Sequence, residues 1–246
     1  MCQAVSPQSS LIAGQNGSSF NPGMRIDIIF DTICPWCFLG KRRLEQTLAS
    51  RPNVVVDINW HAFLLNPDMP PEGMDREDYL IAKFGNRSRA DRVYGAIAEA
   101  GHTVGIDFRF DRITRVPSSI DSHRLVQFAS RRGLGNEATE ALYQAYFLEG
   151  QDTSSRLALY DIAERLGFDG IEVREYFYSD ENVAEIRDQN SRAHRLGISG
   201  VPAFIIDGNF SVSGAQEPQV LNRLIDIAEE RKRELSAENV LPAMSD

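Results

Sequence analysis

Cysteine is scarce in this chain: three occur in 246 residues, at Cys2, Cys34 and Cys37. So few exclude the disulfide framework that staples small secreted domains. There is no second Cys-x-x-Cys and no His-x₃₋₅-His pair, and His61, His102, His123 and His194 are scattered. A structural zinc site needs four protein ligands, so its usual spacing is missing. No apolar run reaches the length of a membrane span. Residues 1–23 contain no Lys or Arg and only the short apolar stretch Leu11-Ile12-Ala13, which does not make a secretory signal or an Arg-rich transit peptide. The expected location is therefore cytoplasmic. The formal net charge of -9 argues against nucleic acid or an anionic membrane as partner. No internal repeat is visible.

With 42% hydrophobic residues, the chain can build one large core or a domain carrying an insertion. Residues 1–23 are rich in Ser, Gln, Asn and Gly without periodicity and read as a disordered extension, with Cys2 a bystander. A strand is expected over 25–30 and a helix over 38–49, ending before Arg51-Pro52. A second strand is expected over 54–60, with Val54, Val56, Ile58 and Trp60 on one face and Val55, Asp57, Asn59 and His61 on the other. His61 reads as a surface residue. This β-α-β opening implies a parallel pair with a crossover helix.

After the loop Asn66-Pro67-Asp68-Met69-Pro70-Pro71 the chain turns helical. Helices are expected over 75–84, 87–100, 119–132, 137–149, 154–166, 170–178 and 181–196. Asn136 and Thr153 serve as N-caps, and Gly101, Gly133, Gly167 and Gly197 as stops. Strands return at 203–206 and 210–213 around Asp207-Gly208-Asn209, a hairpin turn. The last helix spans about 218–234, with an apolar stripe of Val220, Leu221, Leu224, Ile225 and Ala228. The division is thus a first α/β part at 24–65, a helical insertion at 66–180, a second α/β part at 181–235 and a flexible tail at 236–246. This order is that of an α/β, thioredoxin-like fold with a large all-helical insertion.

What stands out is Cys34-Pro35-Trp36-Cys37 at the first strand-to-helix junction. Free amides and the positive end of a helix dipole stabilise a thiolate there. Cys34, nearest the helix end, is the candidate exposed nucleophile. Cys37, one turn in, is better shielded and suits resolution of a mixed disulfide. Pro35 stiffens the turn, and Trp36 offers an apolar surface to substrate. A half zinc site is the alternative, but the missing ligands favour redox chemistry and no bound metal. Downstream, Ser199-Gly200-Val201-Pro202-Ala203 opens a strand. A trans proline is the default there, but an upstream Cys-x-x-Cys reverses that balance toward cis. The Val201 backbone would then bind substrate as a short strand beside Pro202. Asp31, three residues before Cys34, reads as a solvent-facing strand end, with tuning of the thiol as the alternative. His123 is a candidate cleft residue, while Arg124 either lines the cleft or caps helix packing. Tyr143, Tyr146 and Phe147 read as core.

Ile28-Ile29-Phe30-Asp31 running into Cys34-Pro35-Trp36-Cys37-Phe38-Leu39-Gly40, the segment Ser118–Ala129, and Gly197–Gln216 together resemble the FrnE-like branch of the DsbA family. The likeness runs from about Met24 to Glu234. It implies a thioredoxin fold with a helical insert, thiol–disulfide exchange at Cys34 and Cys37, and a cis bond at Pro202. That branch often has Asn-Thr where Ser118-Ser119 stand, so a substrate contact from that Asn is not carried over. The partners implied are thiol- or disulfide-containing proteins or small thiols. Glutathione is a candidate co-substrate, no cofactor is bound, and the insertion is a candidate homodimer surface. The alternative is a glutathione-dependent isomerase or transferase on a small aromatic substrate, as in 2-hydroxychromene-2-carboxylate isomerase and kappa-class glutathione transferases. Those relatives generally use serine where Cys34 stands. A chaperone-like grip on partly folded proteins near Trp36 is an accessory role.

Overall fold

A central mixed sheet carries the site. The structure, a computed structural model, describes Gln3–Ala4 and residues 23–238. The sheet contains β1 (Gln3–Ala4), β2 (Met24–Phe30), β3 (Val56–Ala62), β6 (Ala203–Ile206) and β7 (Phe210–Ser213) in the order β1-β7-β6-β2-β3. β2 and β3 run parallel, with Met24 opposite Val56 and Phe30 opposite Ala62. They are joined by the crossover helix α1 (Pro35–Ala49), as a parallel pair requires. β6 returns antiparallel to β2, with Ile29 opposite Ala203, so the start of β6 lies beside the cysteine turn. Asp207 and Gly208 both take positive φ in the three-residue β6–β7 turn, which Asp and Gly tolerate.

Between β3 and β6 lies the helical insertion. It comprises α2 (Arg76–Phe84), α3 (Arg87–His102), α4 (Ile120–Ser130), α5 (Gly135–Tyr143), a π-helical turn over Gln144–Leu148, α6 (Arg156–Arg165) and α7 (Gly170–Tyr178). α8 (Val183–Arg195) leads back to the sheet, and α9 (Pro218–Glu238) follows the hairpin. A two-residue ladder of β4 (Met74–Asp75) and β5 (Arg115–Val116) closes the base of the α2–α3 hairpin. No helix among the described residues is long and apolar enough to cross a membrane.

Alternation along β2 decides what lies on each face. Ile26, Ile28 and Phe30 join one large core with Phe38 and Leu44 of α1 and Leu221, Leu224 and Ile225 of α9. Ile29 points the other way, to Phe63, Ala203 and Ala193 of α8. That second face also carries Asp27, buried, with Arg25 Nη2 at 2.8 Å and His61 Nε2 at 2.7 Å.

Several expectations change. β3 starts two residues later than expected, because the Val54 amide is taken by the Arg51 carbonyl (3.0 Å) in a turn. His61 is half-buried against Asp27 rather than a free surface residue. Gly101 lies inside α3; the α3 backbone approaches Phe108 so closely that a Cβ there would stand 2.6 Å from its ring. The N-caps of α5 and α6 are Leu134 and Ser155 rather than Asn136 and Thr153. Gln3–Ala4, within the stretch expected to be disordered, pair antiparallel with β7. The rest of 1–22 and residues 239–246, including most of the expected tail, lie outside the described residues.

Asp27 gives a pH test. Burial pushes its carboxyl up, but the hydrogen bonds from His61 and Arg25 outweigh this and bring it below the ordinary range. A carboxylate with a lowered pKa stabilises the fold above its unfolded pKa, and that stability is lost as pH falls through the folded value. Asp27→Asn should cost about 1–3 kcal/mol at pH 7 in denaturant unfolding. The gap from wild type should close below about pH 4.

Candidate active site

The cysteine turn is built from Asp31 outward. As β2 ends, the Asp31 side chain folds over its own backbone: Oδ1 accepts from the Ile33 amide (3.3 Å), an Asx-type turn. The Asp31 carbonyl accepts from the Cys34 amide at 3.1 Å. Cys34 then stands as the N-cap of α1 in an extended conformation, its carbonyl receiving the Cys37 amide at 3.0 Å, with Pro35 in the first turn where its missing N–H costs nothing. No acidic residue occupies the first turn of α1, so nothing there opposes the positive end of its dipole.

Both cysteines are free thiols. Cys34 Sγ lies 3.7 Å from the Val201 carbonyl oxygen, across 167 residues of sequence. The Val201–Pro202 peptide bond is cis. Pro202 is buried against α1, and Gly40 makes room for it: a Cβ on Gly40 would lie 2.8 Å from Pro202 Cγ and 3.2 Å from Phe204 Cζ. Trp36 is 39% exposed beside the pair. Burial, and then the Cys34 thiol beside it, pushes the Cys37 thiol well above the ordinary range. Tyr143 is fully buried under the turn, stacked on Phe38, and its hydroxyl donates to the Asp31 carbonyl at 3.4 Å. Burial first, and the two sulfurs next, keep its phenol protonated and able to donate.

Three expectations are corrected. Cys34 is not openly exposed: only 4% of it is accessible, because the Val201 carbonyl and Pro202 close over the turn. Asp31 is not solvent-facing but fully buried, its Oδ2 accepting from the Leu65 amide at 2.7 Å. His123 does not line a cleft. It is 1% exposed, edge-on to Phe30, with Nε2 3.2 Å from the Phe63 carbonyl and 3.4 Å from Asp31 Oδ1. Arg124 is fully buried and ties α4 to the α7–α8 connection through the carbonyls of Tyr176, Ser179 and Glu181. Ser118 and Ser119 are buried, and Ser122 Oγ meets Thr32 Oγ1 at 2.7 Å.

Lys41 escaped the sequence reading. It sits one turn beyond Cys37, and its side chain is 2% exposed, with Nζ 2.9 Å from Glu140 and also paired to Glu45. Burial pushes the Glu140 carboxyl up, but Arg42 and Lys41 bring it below the ordinary range. This charge cluster fastens α1 to α5. The signal was available in the pattern: Cys37, Lys41 and Leu44 recur at helical spacing, which puts Lys41 on an inward face. Among the described residues no group of three or more His, Cys, Asp and Glu side chains is placed to hold a metal ion.

Two outcomes follow from this geometry. In the reduced protein, iodoacetamide should modify Cys37 at least roughly tenfold more slowly than Cys34 at pH 7.5, with the Cys37 rate still rising above pH 9; peptide mapping reads both rates. Gly40→Ala, by pressing on Pro202, should destabilise the fold by about 1–3 kcal/mol in urea and slow disulfide exchange while both cysteines remain.

Known proteins resemble this chain in sequence and fold. A DsbA oxidoreductase from Streptomyces coelicolor, designated probable, is 29% identical, with a TM-score of 0.76 over 84% of this chain and 90% of that one. The protein YwbO of Bacillus subtilis, whose activity is uncharacterised, is 24% identical over 85% of this chain and 99% of its own length. The cytosolic disulfide reductase DsbM from Pseudomonas aeruginosa shares the fold at 20% identity and a TM-score of 0.60, covering 87% of this chain and 99% of DsbM. DsbM has also been solved with GSH, at a TM-score of 0.52. The DSBA-like thioredoxin domain matches residues 25–226, from β2 through the cysteine turn and the whole insertion into α9, and the chain therefore belongs to that family.

Proposed function

We propose that this chain is a thiol–disulfide oxidoreductase that works through Cys34 and Cys37. The observation that carries the reading is the pair of free thiols at the N-terminus of α1, with the Val201 carbonyl 3.7 Å from Cys34 Sγ. Cys34 as thiolate attacks a substrate disulfide, forming a mixed disulfide and releasing one substrate thiolate, which takes a proton from solvent. Cys37 then loses its proton and attacks Cys34 Sγ, releasing the second substrate thiol and closing the Cys34–Cys37 disulfide. The substrate gains two electrons and the enzyme loses two. Two equivalents of a thiol such as glutathione restore the dithiol and leave as the oxidised dimer. The same steps run backward when the partner pool is oxidising.

Each neighbour has a part in this scheme. The raised pKa of Cys37 keeps it a thiol until the mixed disulfide forms, so Cys34 acts first. The Ser199-Gly200-Val201 backbone, exposed up to Val201, receives the chain on either side of the substrate cysteine as a short strand. Trp36 supplies apolar contact next to the sulfur. Pro35 holds the turn. The substrates are thiol- or disulfide-bearing proteins or small thiols, with glutathione a co-substrate, and the compartment is the cytoplasm. A glutathione-dependent isomerase has no use for Cys37, and both sulfurs are in place.

Cys34→Ser should abolish insulin reduction by glutathione, a loss of at least about a hundredfold. Cys37→Ser should instead accumulate mixed disulfides on Cys34, visible as mass adducts removed by dithiothreitol. Full activity of the Cys34→Ser protein would sink the proposal.

A further inference from the structure

His123 has no place in the exchange steps, yet it is buried under them. Its Nε2 faces two oxygens, the Phe63 carbonyl at 3.2 Å and Asp31 Oδ1 at 3.4 Å. A carbonyl only accepts, so Nε2 carries the hydrogen and offers it between the two. Among the described residues, His123 is the only side chain able to carry positive charge within ion-pair distance of Asp31. Both side chains are at most 1% exposed. Water cannot screen the carboxylate, and a buried carboxylate charge acts over a longer range than an exposed one. The Asp31 main chain touches the cysteine turn directly, through the Cys34 amide at 3.1 Å. Burial and Cys34 are what chiefly push the Cys37 thiol up; the Asp31 main chain favours its ionisation, and the Asp31 side-chain charge opposes it.

We infer that His123 is a positioning residue that sets the reduction potential of the Cys34–Cys37 pair, acting through the charge of Asp31. The inference rests on the redox reading above. The equilibrium is protein dithiol plus oxidised glutathione giving protein disulfide plus two glutathione thiols. The disulfide cannot ionise, whereas the reduced pair can lose a proton from sulfur, so negative charge near the pair disfavours only the reduced protein. Asp31 therefore pushes the equilibrium toward the disulfide, and the His123 N–H blunts that push. Removing one partner moves the equilibrium opposite to removing the other. A merely structural role for either residue does not produce that sign reversal, since packing damage has no reason to change direction.

The test equilibrates the full chain with glutathione redox buffers at pH 7.0 and reads the dithiol fraction by alkylation and mass. Variants are Asp31→Asn, His123→Leu, His123→Gln and the Asp31→Asn/His123→Leu double substitution. His123→Leu should raise the equilibrium constant for oxidation at least threefold, about 14 mV more reducing. Asp31→Asn should lower it by a similar factor. His123→Gln, which keeps an N–H donor, should stay near wild type. In the double variant the His123→Leu increase should vanish, because there is no carboxylate charge left to expose. Shifts of Asp31→Asn and His123→Leu in one direction, or no shift in either, would overturn the inference. Should His123→Leu fail to fold by circular dichroism, Asp31→Asn decides alone: a shift toward the disulfide, or none, overturns it. A wild-type protein that forms no reversible Cys34–Cys37 disulfide would instead overturn the redox reading itself.

Discussion

The site depends on one buried carboxylate. Asp31 directly follows the last residue of β2, and it closes the turn that places Cys34 at the start of α1. Its other oxygen holds the Leu65 amide at 2.7 Å, so the exit of β3 is fixed to the same point. A charge so placed is tolerated only when its oxygens are occupied, and amides, an imidazole and a short turn supply the partners. The cost of burying it is offset by what it joins: a strand end, a helix start, the chain leaving β3 and α4.

The same stretch shows how the insertion is made part of the site rather than an appendage. The backbone from Ala62 to Leu65 is held by side chains from α8, from α4 and from Asp31. Gln189 and Asn190 of α8 accept from the Ala62 and Leu64 amides (2.8 and 2.9 Å), and His123 of α4 meets the Phe63 carbonyl. These buried polar bonds replace the ladder partners that β3, an edge strand, would lose at its end. On the other side of α1, Lys41 and Arg42 meet Glu140 of α5. The cysteine helix is thereby held between sheet and insertion, with Tyr143 stacked on Phe38 beneath it.

What the sequence made legible was whatever repeats or punctuates. The alternation of Val56, Ile58 and Trp60, the Asp207-Gly208 turn and the Cys-x-x-Cys at a strand–helix junction are local patterns, and each maps to an observed element. Arg124 is open to two readings in sequence, cleft lining or helix packing, and the packing is made by Asp121 one turn before it together with the carbonyls of a segment 52 to 57 residues away. Asp31 and His123 were hidden for one reason: polar residues are usually wet, and for each the partner that makes burial tolerable lies 92 positions away in sequence. The β4–β5 ladder is two residues per strand, below the length at which any periodicity registers. The substitution of a π-helical turn for the end of the expected 137–149 helix leaves no mark in the apolar spacing, since both keep Tyr146 and Phe147 inward.

In the proposed reaction the two sulfurs at the start of α1 cycle as a two-electron couple. The most direct measurement is an equilibrium titration of the full chain in graded ratios of reduced to oxidised glutathione, quenched by alkylation and mapped by peptide mass. One reversible transition is expected, with the squared dependence on glutathione thiol that a two-electron couple requires, the disulfide joining Cys34 to Cys37 and Cys2 unchanged. A transition that stops at a single glutathione adduct on Cys34, or a disulfide that pairs Cys2 with either partner, would contradict it.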